Sequence, residues 1–236
     1  MVTSPESTQA VNHHQSAPVA SPRAGAKFIV EAIGTFFLVF TVGAAVTTAS
    51  PLAPVGIGAV LMVMIYAGAH LSGGHYNPAV TLAVLVRGKI GLVDALGYWI
   101  VQFGAGLLAA IVVRNVVGAD RVTTRAPLTL SGHALLAAFA VELLFTFALC
   151  YVVLNVATSR RHPDNTFYGA AIGFTVMAGA VAVGAISGGA FNPSVTLGAA
   201  VMDIFAWPTL WVYLVAQAIA GLAAGVTFLA LNPDDK

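Results

Sequence analysis

Ser72-Gly-Gly-His-Tyr-Asn-Pro-Ala-Val-Thr-Leu82 and Ser187-Gly-Gly-Ala-Phe-Asn-Pro-Ser-Val-Thr-Leu197 agree at eight of eleven positions across a separation of 115 residues. The same separation relates Tyr98, Gln102 and Gly106 to Tyr213, Gln217 and Gly221. A separation of 111 relates Glu31, Thr35 and Phe36 to Glu142, Thr146 and Phe147. The chain is therefore two copies of one unit. Asn is a favoured helix N-cap and Pro is favoured at the first helical position, so Asn77-Pro78 and Asn192-Pro193 each read as a helix start. The apolar segments they open, 77–87 and 192–202, cover roughly 16 Å each at 1.5 Å per residue. A hydrocarbon core is about 30 Å thick. Each segment enters a membrane halfway and does not cross it.

The composition agrees that lipid is the solvent. Charged residues make up 8% of the 236 residues, against about 25% in soluble domains, and mean hydropathy is +0.89. Full-length apolar spans are expected near 27–48, 54–71, 92–115, 132–157, 167–186 and 207–231,. The fold class is an all-α membrane protein with six transmembrane helices and two re-entrant half-helices. Each copy holds three full crossings, an odd number, so the second is inverted and the half-helices meet head to head near the midplane. The domain plan is a disordered cytosolic tail over 1–26, one domain over 27–231 and a short C-terminal tail over 232–236. Within the domain, the first repeat covers about 27–116 and the second about 132–231. With the tail inside the cell, Arg23, Lys27, Arg87, Lys89, Arg160, Arg161 and Lys236 lie inside and Arg114, Arg121 and Arg125 outside. The positive-inside rule thus sets both termini in the cytoplasm.

The half-helix starts carry the chemistry. A capping Asn accepts its helix's own N–H groups, which leaves its NH₂ to point into the space between the two ends. Each helix N-terminus also contributes roughly half a positive charge. The Gly-rich turns must be buried or line a water-filled path. Gly73, Gly74 and His75, and Gly188, Gly189 and Ala190, are the candidate pore carbonyls. Glu31 and Glu142 are acids inside spans, either proton relays or braces for the irregular turns; their equivalent placement in both copies favours braces. Gln102 and Gln217 are expected to satisfy turn backbone. His70 and His75 are expected to make structural hydrogen bonds and not to bind a metal, since no carboxylate or cysteine completes a site. Gly106-x-x-x-Ala110 and Gly221-x-x-x-Gly225 read as close-packing faces. Trp207, Trp211 and Tyr213 read as an interfacial belt, and Cys150 as a small core residue. No nucleophile with a base, paired carboxylate or phosphate loop indicates an enzyme. A net charge of +1 gives no surface for nucleic acid, and no cofactor or metal is called for.

These motifs, together with Glu31-x-x-x-Thr35-Phe36 and Tyr98-x-x-x-Gln102-x-x-x-Gly106, resemble those of the major intrinsic protein family, the aquaporins and aquaglyceroporins. The resemblance spans about residues 27–231. It implies an aquaporin-like right-handed bundle, one pore per protomer, a homotetramer in the bilayer of the cell membrane, and passage of water and small neutral solutes. It also implies a pore constriction at Asn77, Pro78, Ala79, Asn192, Pro193 and Ser194. The family's commonest second motif is Asn-Pro-Ala-Arg; here Ser194 and Val195 replace Ala and Arg. By position, the remaining selectivity-filter residues are Ile57, Ala180 and Gly189. This small, uncharged set resembles permissive branches, for which glycerol, urea, ammonia or hydrogen peroxide are plausible solutes. Two other classes stay open: a secondary transporter, since inverted repeats also build those, and a membrane scaffold with a closed pore.

Overall fold

The computed structural model describes residues 25–118 and 126–235. The expected tail over 1–26 lies outside them save its last two residues, as do Arg23, Arg121, Arg125 and Lys236 of the charge comparison. Among the described residues, six long apolar helices run back and forth: α1 (Ala26–Thr47), α2 (Ala53–Ser72), α4 (Leu92–Val112), α5 (Gly132–Ala157), α6 (Tyr168–Ser187) and α8 (Leu210–Leu231). Each is long and apolar enough to cross a membrane. Between them lie two nine-residue helices, α3 (Pro78–Val86) and α7 (Pro193–Val201), each about 14 Å long. A π-turn, Val113–Val117, extends α4, and a short 3₁₀ turn, Trp207–Thr209, precedes α8. The chain is thus the six-helix, two-half-helix bundle that the repeat implies. Six crossings put residues 25 and 235 on one face, here the terminal face.

The repeat is visible in the packing. α1 packs on α4 as α5 packs on α8, while α2 and α6 join the halves. The half-helices cross over, α3 against α8 and α7 against α4. Glycines at both crossovers let backbone meet backbone: a Cβ on Gly221 would sit 2.6 Å from the Ala79 carbonyl oxygen, and one on Gly106 would sit 3.1 Å from that of Ser194. Tyr213 is fully buried and stacks on Phe205 at 4.7 Å, so it does not belong to the interfacial belt. Trp207 and Trp211 remain exposed. The repeat already carried that correction, since Tyr213 is the counterpart of buried Tyr98.

Two buried glutamates hold the re-entrant turns. Glu31 Oε1 accepts hydrogen bonds from the Ser72 hydroxyl and the His75 amide, both at 2.8 Å; its Oε2 accepts from the Tyr76 amide at 2.7 Å and from Gln102 Nε2 at 2.9 Å. Glu142 makes the same set with Ser187, Ala190, Phe191 and Gln217, at 2.7 to 3.0 Å. The glutamines do not reach turn backbone: each bridges its glutamate to Thr81 or Thr196 at 3.0 Å. Tyr98 and Tyr213 hydroxyls donate to the Ser72 and Ser187 carbonyls.

On the terminal face, Arg87 and Asp235 form a buried ion pair at 2.6 Å. Asp235 also accepts from the Ser159 hydroxyl at 2.9 Å and the Arg160 amide at 2.8 Å. It lies in the segment read as a tail, yet it is 3% exposed.

Removing the Glu31 carboxyl strands four buried donors, at roughly 1–3 kcal/mol each, comparable to a whole domain's 5–15 kcal/mol. Glu31→Leu should therefore give almost no folded protein on size exclusion, whereas Glu31→Gln, which keeps an acceptor, should assemble with a lower melting temperature. Equal yields for the two would contradict the bracing. A second prediction concerns acid. Burial raises the Asp235 pKa, but the Arg160 amide, Ser159 hydroxyl and Arg87 guanidinium outweigh it and hold the carboxyl below the usual carboxylate range. A depressed pKa contributes stability that is full above the unfolded-chain value and lost as pH falls through the folded one. The detergent-solubilised protein should lose melting temperature below about pH 4, and Asp235→Asn should flatten that decline. Parallel curves for variant and wild type would refute it.

Candidate functional site

Asn77 and Asn192 occupy extended backbone and cap α3 and α7: Oδ1 of each accepts from the amide two residues on, Ala79 at 2.8 Å and Ser194 at 2.9 Å. Their NH₂ groups do not point wholly into the space between the helices. Asn77 Nδ2 donates to the Phe191 carbonyl, and Asn192 Nδ2 to the Tyr76 carbonyl, each at 2.9 Å. One amide hydrogen of each Asn is therefore committed to the opposite turn and one remains.

Tyr76 and Phe191 were not singled out from the sequence. Both sit in the left-handed region, at φ 49° and 48°, a conformation that bulky residues rarely adopt. Their amides are held by the glutamates and their carbonyls by the opposite asparagines, which over-determines the strain. Their rings differ in how they are seated. A Cβ on Gly34 would lie 2.3 Å from the Tyr76 ring, so the Gly34 position makes room for it. The counterpart of Gly34 is Phe145, which instead packs on Phe191 with centroids 5.5 Å apart. The signal for both residues was an aromatic at the same position of each motif.

A narrow cavity runs between the two turns. Asn77, Asn192, Gly74, His75, Gly189 and Ala190 form one side. Its other lining residues are apolar: Leu38 and Val42 of α1, Leu61 of α2, Val80 of α3, and Leu149 and Val153 of α5. Ile172 and Val176 of α6, Ile57 of α2 and Val195 of α7 complete the apolar part of the lining. His75 is the one titratable group among these lining residues. The space for water centres is about 20 Å³, enough for one or two molecules at a time. Toward the terminal face a vestibule of about 310 Å³ opens, bordered by Ala69, His70, Gly73, His162, Asp164 and Asn165.

The candidate residues divide accordingly. Ile57, Gly189 and Val195 share the cavity; Ala180 does not line it. Its Cα lies 3.5 Å from where a Gly189 Cβ would be, so it stands beside that residue. Pro78, Ala79, Pro193 and Ser194 also lie off the cavity, buried where the half-helices start and pack. Gly73 and Gly188 are exposed left-handed C-caps of α2 and α6; Gly73 borders the vestibule and not the narrow cavity. His75 Nδ1 pairs with Thr81 Oγ1 at 3.1 Å, whereas His70 is exposed on the vestibule wall. Cys150 is fully buried. Both intramembrane acids are occupied by the turns, so neither faces the cavity as a relay.

Residues 20–228 match the family model described as Major intrinsic protein. Aquaporin NIP2-1 of Oryza sativa subsp. japonica is 34% identical over 218 residues, covering 89% of this chain and 71% of the relative. Glycerol uptake facilitator protein-like 6 of Lactiplantibacillus plantarum is also 34% identical, covering 89% of this chain and 99% of the relative. The fold matches the crystal structure of the aquaglyceroporin from Plasmodium falciparum with a TM-score of 0.71 at 22% identity, covering 86% of this chain and 94% of that one. The chain belongs to the major intrinsic protein family, whose members are membrane channels and not enzymes.

Proposed function

We propose that the chain is a passive channel for water and small uncharged solutes, with glycerol, urea, ammonia and hydrogen peroxide the candidates beyond water. The observation that carries this reading is the cavity itself. Its lining combines two capping asparagines and turn backbone with apolar side chains and, among the described residues, no carboxylate, lysine or arginine. The two Asn caps and the carbonyls of Gly74, His75, Gly189 and Ala190 form the polar track. Ile57, Ala180, Gly189 and Val195 form the filter on the side away from the termini, with Ala180 shaping it from behind Gly189. Val195 makes the filter permissive, because it removes the cation and the donors that an Arg supplies there. The reading is supported by relatives named both as an aquaporin and as a glycerol uptake facilitator.

The domain is one channel unit over 27–231, acting as a homotetramer in the cell membrane with both termini cytoplasmic. Among the described residues, Lys27, Arg87, Lys89, Arg160 and Arg161 lie on the terminal face and Arg114 on the other, which supports that orientation.

Proteoliposomes shrunk and re-swollen in a stopped-flow instrument test the reading with a panel of solutes; saturable or gradient-coupled flux would replace it with a transporter. Within that assay, Asn77→Asp and Asn192→Asp should each weaken cation exclusion, since an anionic acceptor replaces a donor beside two positive helix ends. No leak in either variant, with water flux intact, would count against the polar track. Val195→Arg should cut glycerol or urea flux more than water flux. A unit charge repels a cation at about 4 Å by roughly 4 kcal/mol at an effective dielectric near 20, so the same variant should also tighten ion exclusion. A folded Val195→Arg tetramer that passes the larger solutes undiminished would remove Val195 from the filter.

A further inference from the structure

The two re-entrant turns are braced alike by their glutamates but backed by different side chains. Glu142 takes the amides of Ala190 and Phe191. Ahead of these, the Gly188 and Gly189 amides have only local partners, the Gly184 carbonyl and the Ser187 hydroxyl. What stands against Gly188 is Phe205, whose ring edge lies 2.5 Å from where a Gly188 Cβ would be. In the first repeat the space beside Gly73 is met by the His75 ring, 3.2 Å from the corresponding Cβ position. The counterpart of His75 is Ala190, which has no ring to offer, and the counterpart of Phe205 is Ile90. The first turn is thus backed by its own histidine, and the second by the α7–α8 connection.

Phe205 is itself held from several directions. It is buried, and its ring stacks on Tyr213, whose hydroxyl donates to the Ser187 carbonyl at 2.7 Å. Its amide donates to the Ala199 carbonyl of α7 at 3.2 Å. On either side of it the α4–α5 connection closes a clamp. The Leu128 amide donates to the Ile204 carbonyl at 2.8 Å, and the Leu128 carbonyl accepts from the Ala206 amide at 3.1 Å. Gly189 and Ala190, which follow Gly188, line the narrow cavity, and Phe205 does not. Its ring therefore bears on the turn from outside the passage.

We propose that Phe205 is a positioning residue for the solute filter: its clamped ring sets how far the 188–190 turn stands into the passage, and so which solutes pass. This rests on the filter reading and adds to it a residue that solute does not touch. Without the ring, the turn relaxes into the vacated space and the passage widens at Gly189. Widening lowers the barrier for glycerol more than for water, which already fits. The ratio of the two fluxes therefore reports the position of the turn, whereas loss of folded protein scales both fluxes together.

The test uses full-length protein in proteoliposomes, with water and glycerol flux measured on the same vesicles. Phe205→Leu should raise the glycerol-to-water ratio about threefold, a relative barrier change of roughly 0.65 kcal/mol at 25 °C. Hydrogen exchange at Gly188 and Gly189 should quicken with it. Phe205→Met, whose long flexible side chain refills irregular space, should return the ratio toward wild type. Leu128→Pro keeps the ring but removes the amide that holds Ile204; it should move the ratio the same way by less, and it serves where Phe205→Leu does not fold. An unchanged ratio in whichever of these two folds overturns the proposal, as does a ratio raised equally by Leu and Met at position 205. Val195→Arg, run alongside, separates the two levels. If it shifts the ratio and the Phe205 and Leu128 variants do not, only the positioning role falls; if none of them does, the filter falls with it.

Discussion

Two hydrogen bonds between the halves govern the rest of the structure: Asn77 to the Phe191 carbonyl and Asn192 to the Tyr76 carbonyl. Irregular backbone at membrane depth needs a partner for every polar group, because lipid supplies none. Each turn obtains the partner of one carbonyl, that of Tyr76 or Phe191, from the other half of the chain. Each obtains its amide partners from a glutamate in its own half. Neither half supplies the partner of that carbonyl alone. The left-handed conformations of Tyr76 and Phe191, worth roughly 1–3 kcal/mol of strain each, persist because both ends of each residue are held. The constriction is consequently a product of folding the two repeats together.

Duplication shows which contacts that closure requires and which it leaves free. The glutamate, serine, tyrosine, glutamine and threonine around each turn repeat with nearly equal distances. The packing around the turns does not. Tyr76 carries a hydroxyl that reaches the Met64 carbonyl at 2.9 Å, and its ring is accommodated at Gly34. Phe191 lacks the hydroxyl and packs against Phe145. A change of ring at one position has been met by a change of volume at another, with the turn's hydrogen bonds preserved.

The fold was legible because two signals of different length scale agreed. Apolar spans gave the six crossings, and Asn-Pro inside a repeated motif gave the half-helices, whose starts lie within a residue of their expected places. Equivalent placement of Glu31 and Glu142 likewise anticipated a shared role. What periodicity does not carry is the partner of a side chain across the repeat boundary. The Asn NH₂ groups read as pore donors because the sequence could not show that a carbonyl from the other half would take one hydrogen. Ala180 is assigned to the filter by spacing alone, and spacing does not say whether its side chain lines the cavity. Asp235 sat in what composition marks as a tail. Its burial follows from Arg87, 148 positions away, a separation at which no local pattern operates.

The valine three residues beyond each asparagine bears on how the proposed channel excludes ions. Val80 and Val195 occupy equivalent places and both line the cavity, so the two halves present the same apolar step instead of an arginine on one side. The helix ends together still supply about one positive charge of field, and each Asn keeps one uncommitted amide hydrogen. A narrow passage with a largely apolar lining also means that an entering ion must shed hydration. Moving an unpaired charge into a low-dielectric site costs far more than one fixed charge 4 Å away can add by repulsion in a more polar one. Narrowness and the apolar wall thus carry most of the barrier, and a side-chain cation adds a margin. A neutral solute loses little by shedding its waters one face at a time along the polar track, so in the proposed filter Val195 relaxes the limit on solute size and leaves ions a barrier with a thinner margin than an arginine would give.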